Sequence, residues 1–125
     1  MEGMAVLKLT GTAGVVKDSV FTIPEGGEAV LGRSRDCGIS LQALGAAPQA
    51  AAETPEAKAF LGISRCHARI RFKRIGEVEI VDQSRYGTFL DRERIDTVIL
   101  TDLKSHPYTL RLGRLDSFLL EILDA

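Results

Sequence analysis

Three short polar motifs carry side chains that suit one chemical task. The first is Gly32 followed by Arg33, the second is SRCH at residues 64–67, and the third is DQSRYGTF at residues 82–89. Guanidinium groups and a hydroxyl donate strong hydrogen bonds to the oxygens of a dianionic phosphate, and the guanidinium bonds are charge-assisted. The residue types therefore indicate a binding site for one phosphate group.

A catalytic interpretation of the same residues is weaker. His67 lies next to Cys66 in the sequence, with Ser64 and Asp82 in the neighbouring motif positions. On a strand, Cys66 and His67 would point to opposite faces and could not form a dyad. The sequence shows no arrangement of nucleophile, base and orienting group, and no cluster of metal ligands. We therefore expect no enzymatic activity, no cofactor and no metal.

Composition and charge fit one globular domain covering residues 1–125. The chain has 45% hydrophobic and 26% charged residues, with a formal net charge of −1. A domain of this size buries about two-thirds of its unfolded surface. The near-neutral balance argues against a nucleic-acid partner, and no apolar run reaches the length of a membrane span. The last predicted strand ends close to Ala125, which suggests a domain taken from a longer protein.

The two cysteines and the N-terminus bear on the compartment. Cys37 and Cys66 fit neither a disulfide framework nor a zinc spacing, so we predict unpaired core thiols in a reducing cytosol. The first residues lack the basic and long apolar regions of a secretory signal. We expect an intracellular protein, with cytoplasm and nucleus not distinguished.

Alternating apolar residues predict the strands that must position the three motifs. The clearest strand covers residues 66–73, in which apolar and polar residues alternate strictly. Its predicted inward face carries Cys66, Ala68, Ile70 and Phe72, and its outward face carries His67, Arg69, Arg71 and Lys73. Further strands are predicted at residues 7–10, 21–23, 29–31, 77–80, 88–90, 98–100, 108–112 and 118–123. Short strands at this spacing indicate a sandwich or a barrel.

Two other segments have simpler interpretations. We expect Glu77 and Glu79 to pair across the ladder with Arg69 and Arg71, which makes this basic stripe a solvated sheet face rather than a nucleic-acid surface. Residues 42–61 are rich in alanine and show no alternation, so they have little core to bury. Pro55 in the first turn predicts a short helix within this insertion.

The order, spacing and strand context of the three motifs resemble the signature of the forkhead-associated (FHA) family. The resemblance covers residues from about Leu7 to Ile122, with residues 42–61 as an insertion. It implies an all-β fold, an FHA-type β-sandwich of about eleven short strands. It also implies a phosphothreonine-dependent peptide-binding module that recruits phosphorylated partner proteins in signalling.

The resemblance also assigns residues to roles. The residues expected to bind phosphate are Arg33, Ser64, Arg65 and Arg85. Tyr86 is expected to contact the peptide, and it stands where many FHA domains have an asparagine that holds the ligand backbone. The residues expected to brace the site are Gly32, His67, Gly87 and Thr88.

One alternative stays open at this stage. A structural FHA-like domain could use the sandwich for phosphate-independent contacts with other proteins. The two hypotheses differ in whether Arg33, Ser64 and Arg85 need to converge on one exposed point. In either case we expect a protein partner, no nucleic acid, no membrane, and a monomer when the domain is isolated.

Overall fold

Strands dominate the computed structural model, which describes residues 5–34, 36–41, 55, 58, 60 and 62–124. Short, alternating sequences separated by Gly, Pro and Asp favour this architecture. The strands are β1 (Ala5–Ala13), β2 (Val20–Pro24), β3 (Glu28–Gly32), β4 (Ile39–Ser40), β5 (Ala68–Arg74), β6 (Glu77–Asp82), β7 (Thr88–Leu90), β8 (Glu93–Ile95), β9 (Thr97–Leu100), β10 (Tyr108–Leu112) and β11 (Asp116–Asp124). The 3-10 turn Gly14–Val16 follows β1. No helix among these residues is long and apolar enough to cross a membrane.

The strands form two sheets that pack as a sandwich. One sheet has the order β2-β1-β11-β10-β7-β8, and the other has the order β4-β3-β5-β6-β9. Among the described residues, β3 and β4 are the parallel pair, and the other neighbours are antiparallel. The inward side chains of both sheets form one apolar core. The predicted all-β sandwich of about eleven strands is confirmed.

Strand β5 shows both the strength and the limit of the alternation pattern. Ala68, Ile70 and Phe72 are fully buried, as predicted. The prediction that Cys66 shares this face was wrong, because the strand begins only at Ala68. Cys66 is exposed, and His67 is buried instead. A period of two residues does not extend into the bend before the strand.

The expected core thiols are therefore a second correction. Cys66 is exposed and Cys37 is half-buried, and both are free thiols. Each lies in a loop rather than on a core-facing strand position. The Cys37 thiol bonds to the backbone of a neighbouring loop, a contact that a hydrophobicity pattern does not report.

Two strands, β4 and β8, were not predicted from the sequence because they are short and show no alternation. Strand β4 has two residues and lies at the edge of its sheet, beside β3. Strand β8 follows a two-residue hairpin turn at Asp91 and Arg92, whose φ angles of 46° and 78° are left-handed. This is the conformation that tight hairpins with a right-handed twist require.

Ion pairs cover the outer face of β5 and β6. Arg71 and Glu79 lie opposite each other, with 3.5 Å between Nη1 and Oε1, as predicted. Arg69 instead pairs with Glu28 of β3 at 3.3 Å. Glu77 pairs with basic side chains near its own hairpin. These exposed pairs contribute about 0–1 kcal/mol each and leave a solvated, charge-balanced face.

The insertion is anchored in the core at both ends. Leu41 precedes it and is fully buried, and Phe60 near its end is 2% exposed. Pro55, Lys58 and Phe60 are helical, in the part of the chain where a short helix was predicted. The remaining residues of the insertion lie outside the described residues. Burial of Phe60 was not predicted, because the alanine-rich composition around it indicated little core contact.

Candidate functional site

Sheet register brings the three motifs to one end of the sandwich. Leu31, near the end of β3, lies opposite Ala68 at the start of β5. Ala68 in turn lies opposite Asp82, the last residue of β6. Because these neighbours are antiparallel, the loops that follow β3, precede β5 and follow β6 all lie at the same end of the strands. We call them the first, second and third loops.

Gly32 allows the first and second loops to meet backbone to backbone. The Arg33 amide donates to the Ser64 carbonyl at 3.1 Å, and the Ser34 amide donates to the Arg65 carbonyl at 3.1 Å. A Cβ at Gly32 would lie 2.0 Å from the Arg65 carbonyl oxygen. Only a residue without a side chain fits this position, so Gly32 sets the spacing between Arg33 and Ser64.

His67 joins the second loop to the third. Its side chain is fully buried, its Nδ1 accepts a hydrogen bond from the Ser64 amide at 3.0 Å, and its Nε2 lies 2.8 Å from the Gly87 carbonyl oxygen. The neutral tautomer with hydrogen on Nε2 satisfies both bonds. Burial lowers the pKa of His67, although the Gly87 bond and the Asp82 carboxylate partly oppose this. His67 is therefore a neutral brace between loops.

A carboxylate inside the third loop organises that loop. Asp82 Oδ1 accepts hydrogen bonds from the Ser84 amide at 3.0 Å, the Ser84 hydroxyl at 2.5 Å and the Thr88 hydroxyl at 2.8 Å. Ser84 Oγ also accepts from the Gly87 amide at 2.7 Å. Burial raises the pKa of Asp82, but the bonds from Ser84 and Thr88 outweigh burial and lower it overall.

Asp82 and Ser84 were quoted in the sequence motif without an assigned role. The sequence could have predicted their role, since an Asp or Ser shortly before a glycine is typical of turns closed by side-chain hydrogen bonds. Thr88, which the sequence analysis placed among the bracing residues, is fully buried beside this carboxylate.

Gly87 connects the third loop to the β10–β11 turn. It has a φ angle of 108°, and a Cβ there would approach the Phe89 ring to 3.1 Å. Both the positive φ and the close packing favour a glycine at this position. Its carbonyl oxygen accepts from the amide of Gly113 at 3.0 Å as well as from His67.

The three loops surround one open depression of about 420 Å³. All four residues predicted to bind phosphate line it, together with Tyr86. The lining residues are Arg33, Gly62, Ile63, Ser64, Arg65, Arg85 and Tyr86. Three of these are arginines, and none of these lining residues carries a carboxylate. The depression therefore has a positive electrostatic field suited to an anion.

Backbone groups fix the donors around this depression. Arg33 Nε donates to the Ile63 carbonyl, and the terminal nitrogens of Arg33 bond to no residue that the structure describes. The Ser64 hydroxyl oxygen accepts from the Arg85 amide at 3.0 Å, which leaves the hydroxyl hydrogen to donate elsewhere. The ring of Tyr86, 57% exposed, forms one wall, with the Arg85 guanidinium carbon 5.8 Å from its centroid.

A second depression of about 570 Å³ adjoins the first. The two share Gly62 and Tyr86, and the second extends to Gly113 and Arg114 in the β10–β11 turn and to Lys58 at the end of the insertion. The hydrogen bond between Gly113 and the third loop holds this turn beside the first depression. An extended ligand bound in the first depression would have room to continue here.

This arrangement can neutralise and hydrogen-bond an anion. Both ring nitrogens of His67 are engaged with backbone groups, so the imidazole has no free lone pair to accept a proton from a nucleophile. Within the described ranges, no group of three His, Cys, Asp or Glu side chains could hold a metal ion. The three arginines and the Ser64 hydroxyl are donors suited to holding an anion.

The fold and this basic, three-loop depression together define a β-sandwich with an anion-binding end. A family model for the FHA domain matches residues 29–106, more than half of the 125 residues. The chain belongs to the FHA domain family. FHA domains are recognition modules rather than enzymes, and they bind phosphothreonine. No curated protein matches the sequence.

Solved structures of FHA domains share the fold. The FHA domain of an Arabidopsis thaliana hypothetical protein has a TM-score of 0.71 at 24% identity, covering 100% of this chain and 93% of that one. The FHA domain of the CT664 protein of Chlamydia trachomatis has a TM-score of 0.61 at 21% identity, with 98% of each chain covered. A structure from work on phosphothreonine-dependent FHA domain interactions has a TM-score of 0.62 at 19% identity, covering 98% and 99%.

Gly32→Ala should destabilise the fold, because the new methyl group would meet peptide backbone rather than a flexible side chain. We expect a loss of about 3 kcal/mol in the free energy of unfolding, measured by urea denaturation. Gly76→Ala is a matched control, since no atom lies within 4 Å of a Cβ built there. It should change stability by about 0.5 kcal/mol or less. Equal urea midpoints for the two variants would contradict the packing argument.

His67 should make stability depend on pH. Its pKa in the folded protein lies below the value of about 6.5 in an unfolded chain. The unfolded state therefore takes up a proton first, and stability is fully present above about pH 6.5 and is lost as the pH falls through the folded pKa. The free energy of unfolding should fall between pH 7.5 and pH 5 by more in the wild type than in His67→Gln.

The second histidine supplies the control. His106 is 57% exposed, and His106→Gln is the matched substitution at the other histidine of the chain. Comparing the variants removes the background of the carboxylates. The same slope in His67→Gln and the wild type would show that His67 is not the titrating group.

Proposed function

We propose that this FHA domain binds phosphothreonine within peptides and so recruits phosphorylated partner proteins in signalling. The observation that carries the proposal is the basic depression in which Arg33, Ser64, Arg65 and Arg85 meet. One phosphate bound in this depression would contact side chains from three separate loops. Phosphothreonine-dependent interactions are also the stated subject of a structure with the same fold.

The electrostatics of the depression match a phosphate. A phosphorylated threonine carries a charge between about −1.5 and −2 at neutral pH and presents three strong acceptor oxygens. Arg33 is held by its bond to the Ile63 carbonyl, so its terminal nitrogens are oriented before a ligand arrives. Hydrogen bonds to charged groups contribute about 1.5–3 kcal/mol each. Preorganised donors lose less conformational entropy on binding.

The peptide is proposed to run past Tyr86 into the second depression. Tyr86 lines both depressions, and its flat amphipathic ring can pack against a peptide while its hydroxyl stays in water. In this position it replaces the amide that many FHA domains use to hold the ligand backbone. Arg114 in the second depression supplies a further positive charge for residues that flank the phosphothreonine.

The proposed activity is recognition without chemistry. The engaged ring nitrogens of His67 support this, because no other histidine approaches the site in the described parts of the chain. The alternative, a domain whose protein contacts do not depend on phosphate, makes a different prediction. It requires equal binding of phosphorylated and unphosphorylated forms of a partner peptide.

Arg33→Ala should weaken phosphopeptide binding by about 2–5 kcal/mol, because it removes the oriented charged donor. Folding should change little, since Arg33 is at the rim. The measurement is calorimetry with the tightest binder from an array of phosphothreonine peptides. Arg74→Ala, which removes an arginine 70% exposed on the outer sheet face, should bind as the wild type does.

Two results would count against the proposal. Near wild-type affinity in Arg33→Ala would place the phosphate elsewhere. Binding of the unphosphorylated peptide at the same affinity would favour the phosphate-independent alternative. Mass spectrometry of the recovered peptide should show an intact phosphate, as expected of a domain without catalysis.

Phosphothreonine should bind more tightly than phosphoserine in matched peptides. Burying the extra methyl group contributes about 0.8 kcal/mol, which corresponds to about a fourfold difference in Kd. Restriction of the threonine χ1 angle adds to the preference. The check is a titration of two peptides that differ only in that methyl group. Equal Kd values would argue for a general phosphate site rather than recognition of phosphothreonine.

A further inference from the structure

The two cysteines lie on the two loops that carry Arg33 and Ser64. Cys37 follows β3 in the first loop, and its Sγ donates to the Arg65 carbonyl oxygen at 3.0 Å. The same oxygen accepts from the Ser34 amide at 3.1 Å. Cys66 is the next residue after that carbonyl. The thiol of Cys37 is therefore seated against the peptide group that leads into Cys66.

The geometry bounds the separation of the two residues. The peptide bonds are trans in the described residues. In a trans peptide the carbonyl oxygen lies about 3 Å from the following Cα. Adding the 3.0 Å hydrogen bond, the Sγ of Cys37 lies no more than about 6 Å from the Cα of Cys66. The Cys37 sulfur thus lies beside Cys66, and rotation of the two side chains with adjustment of their loops would bring the sulfurs within bonding range.

The two thiols also differ in exposure. Cys66 is exposed, whereas Cys37 is half-buried. Burial raises the pKa of the Cys37 thiol, and the adjacent Cys66 thiol raises it further. This effect of Cys66 on Cys37 fits two sulfurs that are close neighbours. Because Cys66 is exposed, it is the thiol that a dissolved oxidant reaches first.

We propose that Cys37 and Cys66 are a modification site, at which a peroxide forms a reversible disulfide between the first and second loops. The Cys66 thiol loses its proton, and the thiolate attacks one oxygen of hydrogen peroxide. An S–O bond forms, the O–O bond breaks, and the departing hydroxide takes up that proton as water. The Cys37 thiol then loses its proton, and its thiolate attacks the Cys66 sulfur. An S–S bond forms, the S–O bond breaks, and the departing hydroxide takes up the second proton as water. Two thiols are oxidised and one peroxide is reduced to two waters.

The cross-link ties together the loops that Gly32 brings into backbone contact. It closes residues 37–66 into one covalent ring, which lowers the conformational entropy of the unfolded chain. It joins Cys66, the residue after Arg65, to Cys37 in the first loop, which also carries Arg33. The disulfide therefore stabilises the pairing of the first two loops, and this consequence does not depend on which ligand binds there.

The test uses the whole 125-residue chain, reduced or treated with hydrogen peroxide, beside Cys37→Ser and Cys66→Ser. In Cys37→Ser, the serine hydroxyl can still donate to the Arg65 carbonyl. Trypsin cuts after Arg35, Lys58, Arg65 and Arg69, so the disulfide would join peptides 36–58 and 66–69. The oxidised wild type should be a monomer about 2 Da lighter than the reduced form. Its Tm should be higher by about 5–15 °C, and dithiothreitol should reverse both changes.

The outcomes separate cleanly. A joined pair of peptides and a raised Tm in the wild type, with neither in the two variants, would support the cross-link. Covalent dimers alone, or a wild type that gains only oxygen on Cys66, would overturn it. A cross-linked monomer with an unchanged Tm would overturn the claim that the bond stabilises the loops.

Discussion

The close contact between the Gly32 backbone and the peptide group joining Ser64 to Arg65 determines the geometry of the whole site. Two antiparallel strands deliver these segments to one edge, but only a missing Cβ lets them approach within hydrogen-bond distance. Arg33 directly follows Gly32 in the first loop, and Ser64 lies on the opposite side of this contact in the second loop. The positions of the first two donors are thus consequences of steric packing. Electrostatics alone would separate the arginines of the site, because like charges repel.

Buried polar groups extend this order to the third loop. His67 and Gly87 are buried and Asp82 is half-buried, so their polar groups would be costly to leave without partners. Each is bonded to its neighbours in the described structure. A satisfied network of this kind favours one loop conformation over others. The arginines can then be exposed and solvated when no ligand is present, because they are not needed to hold the loops. The residues that stabilise the loops are therefore different from the arginines that supply positive charge for binding.

The sequence was sufficient where one physical rule acted alone. Strict alternation located the core residues of β5. The resemblance of the three motifs to the FHA signature indicated which arginines share one depression. The rule failed at Cys66 and His67, because hydrogen bonds with the Ser64 amide and the Gly87 carbonyl, rather than hydrophobicity, turn His67 inward before the strand begins. Strands β4 and β8 were missed because they are held by neighbouring strands and turn geometry. Burial of Phe60 depends on the core surface beneath it, which no local pattern contains.

The central claim is that one phosphate binds among the three loops, and amide NMR shifts measure this residue by residue. A 15N-labelled domain would be titrated with a phosphothreonine peptide and with its unphosphorylated form. The predicted result is that the largest shifts fall on residues 32–34, 64–65 and 85–87, with smaller ones at 113–114, and that the unphosphorylated peptide leaves them in place. Equal shifts with both peptides, or shifts centred on the outer face of β5 and β6, would contradict it.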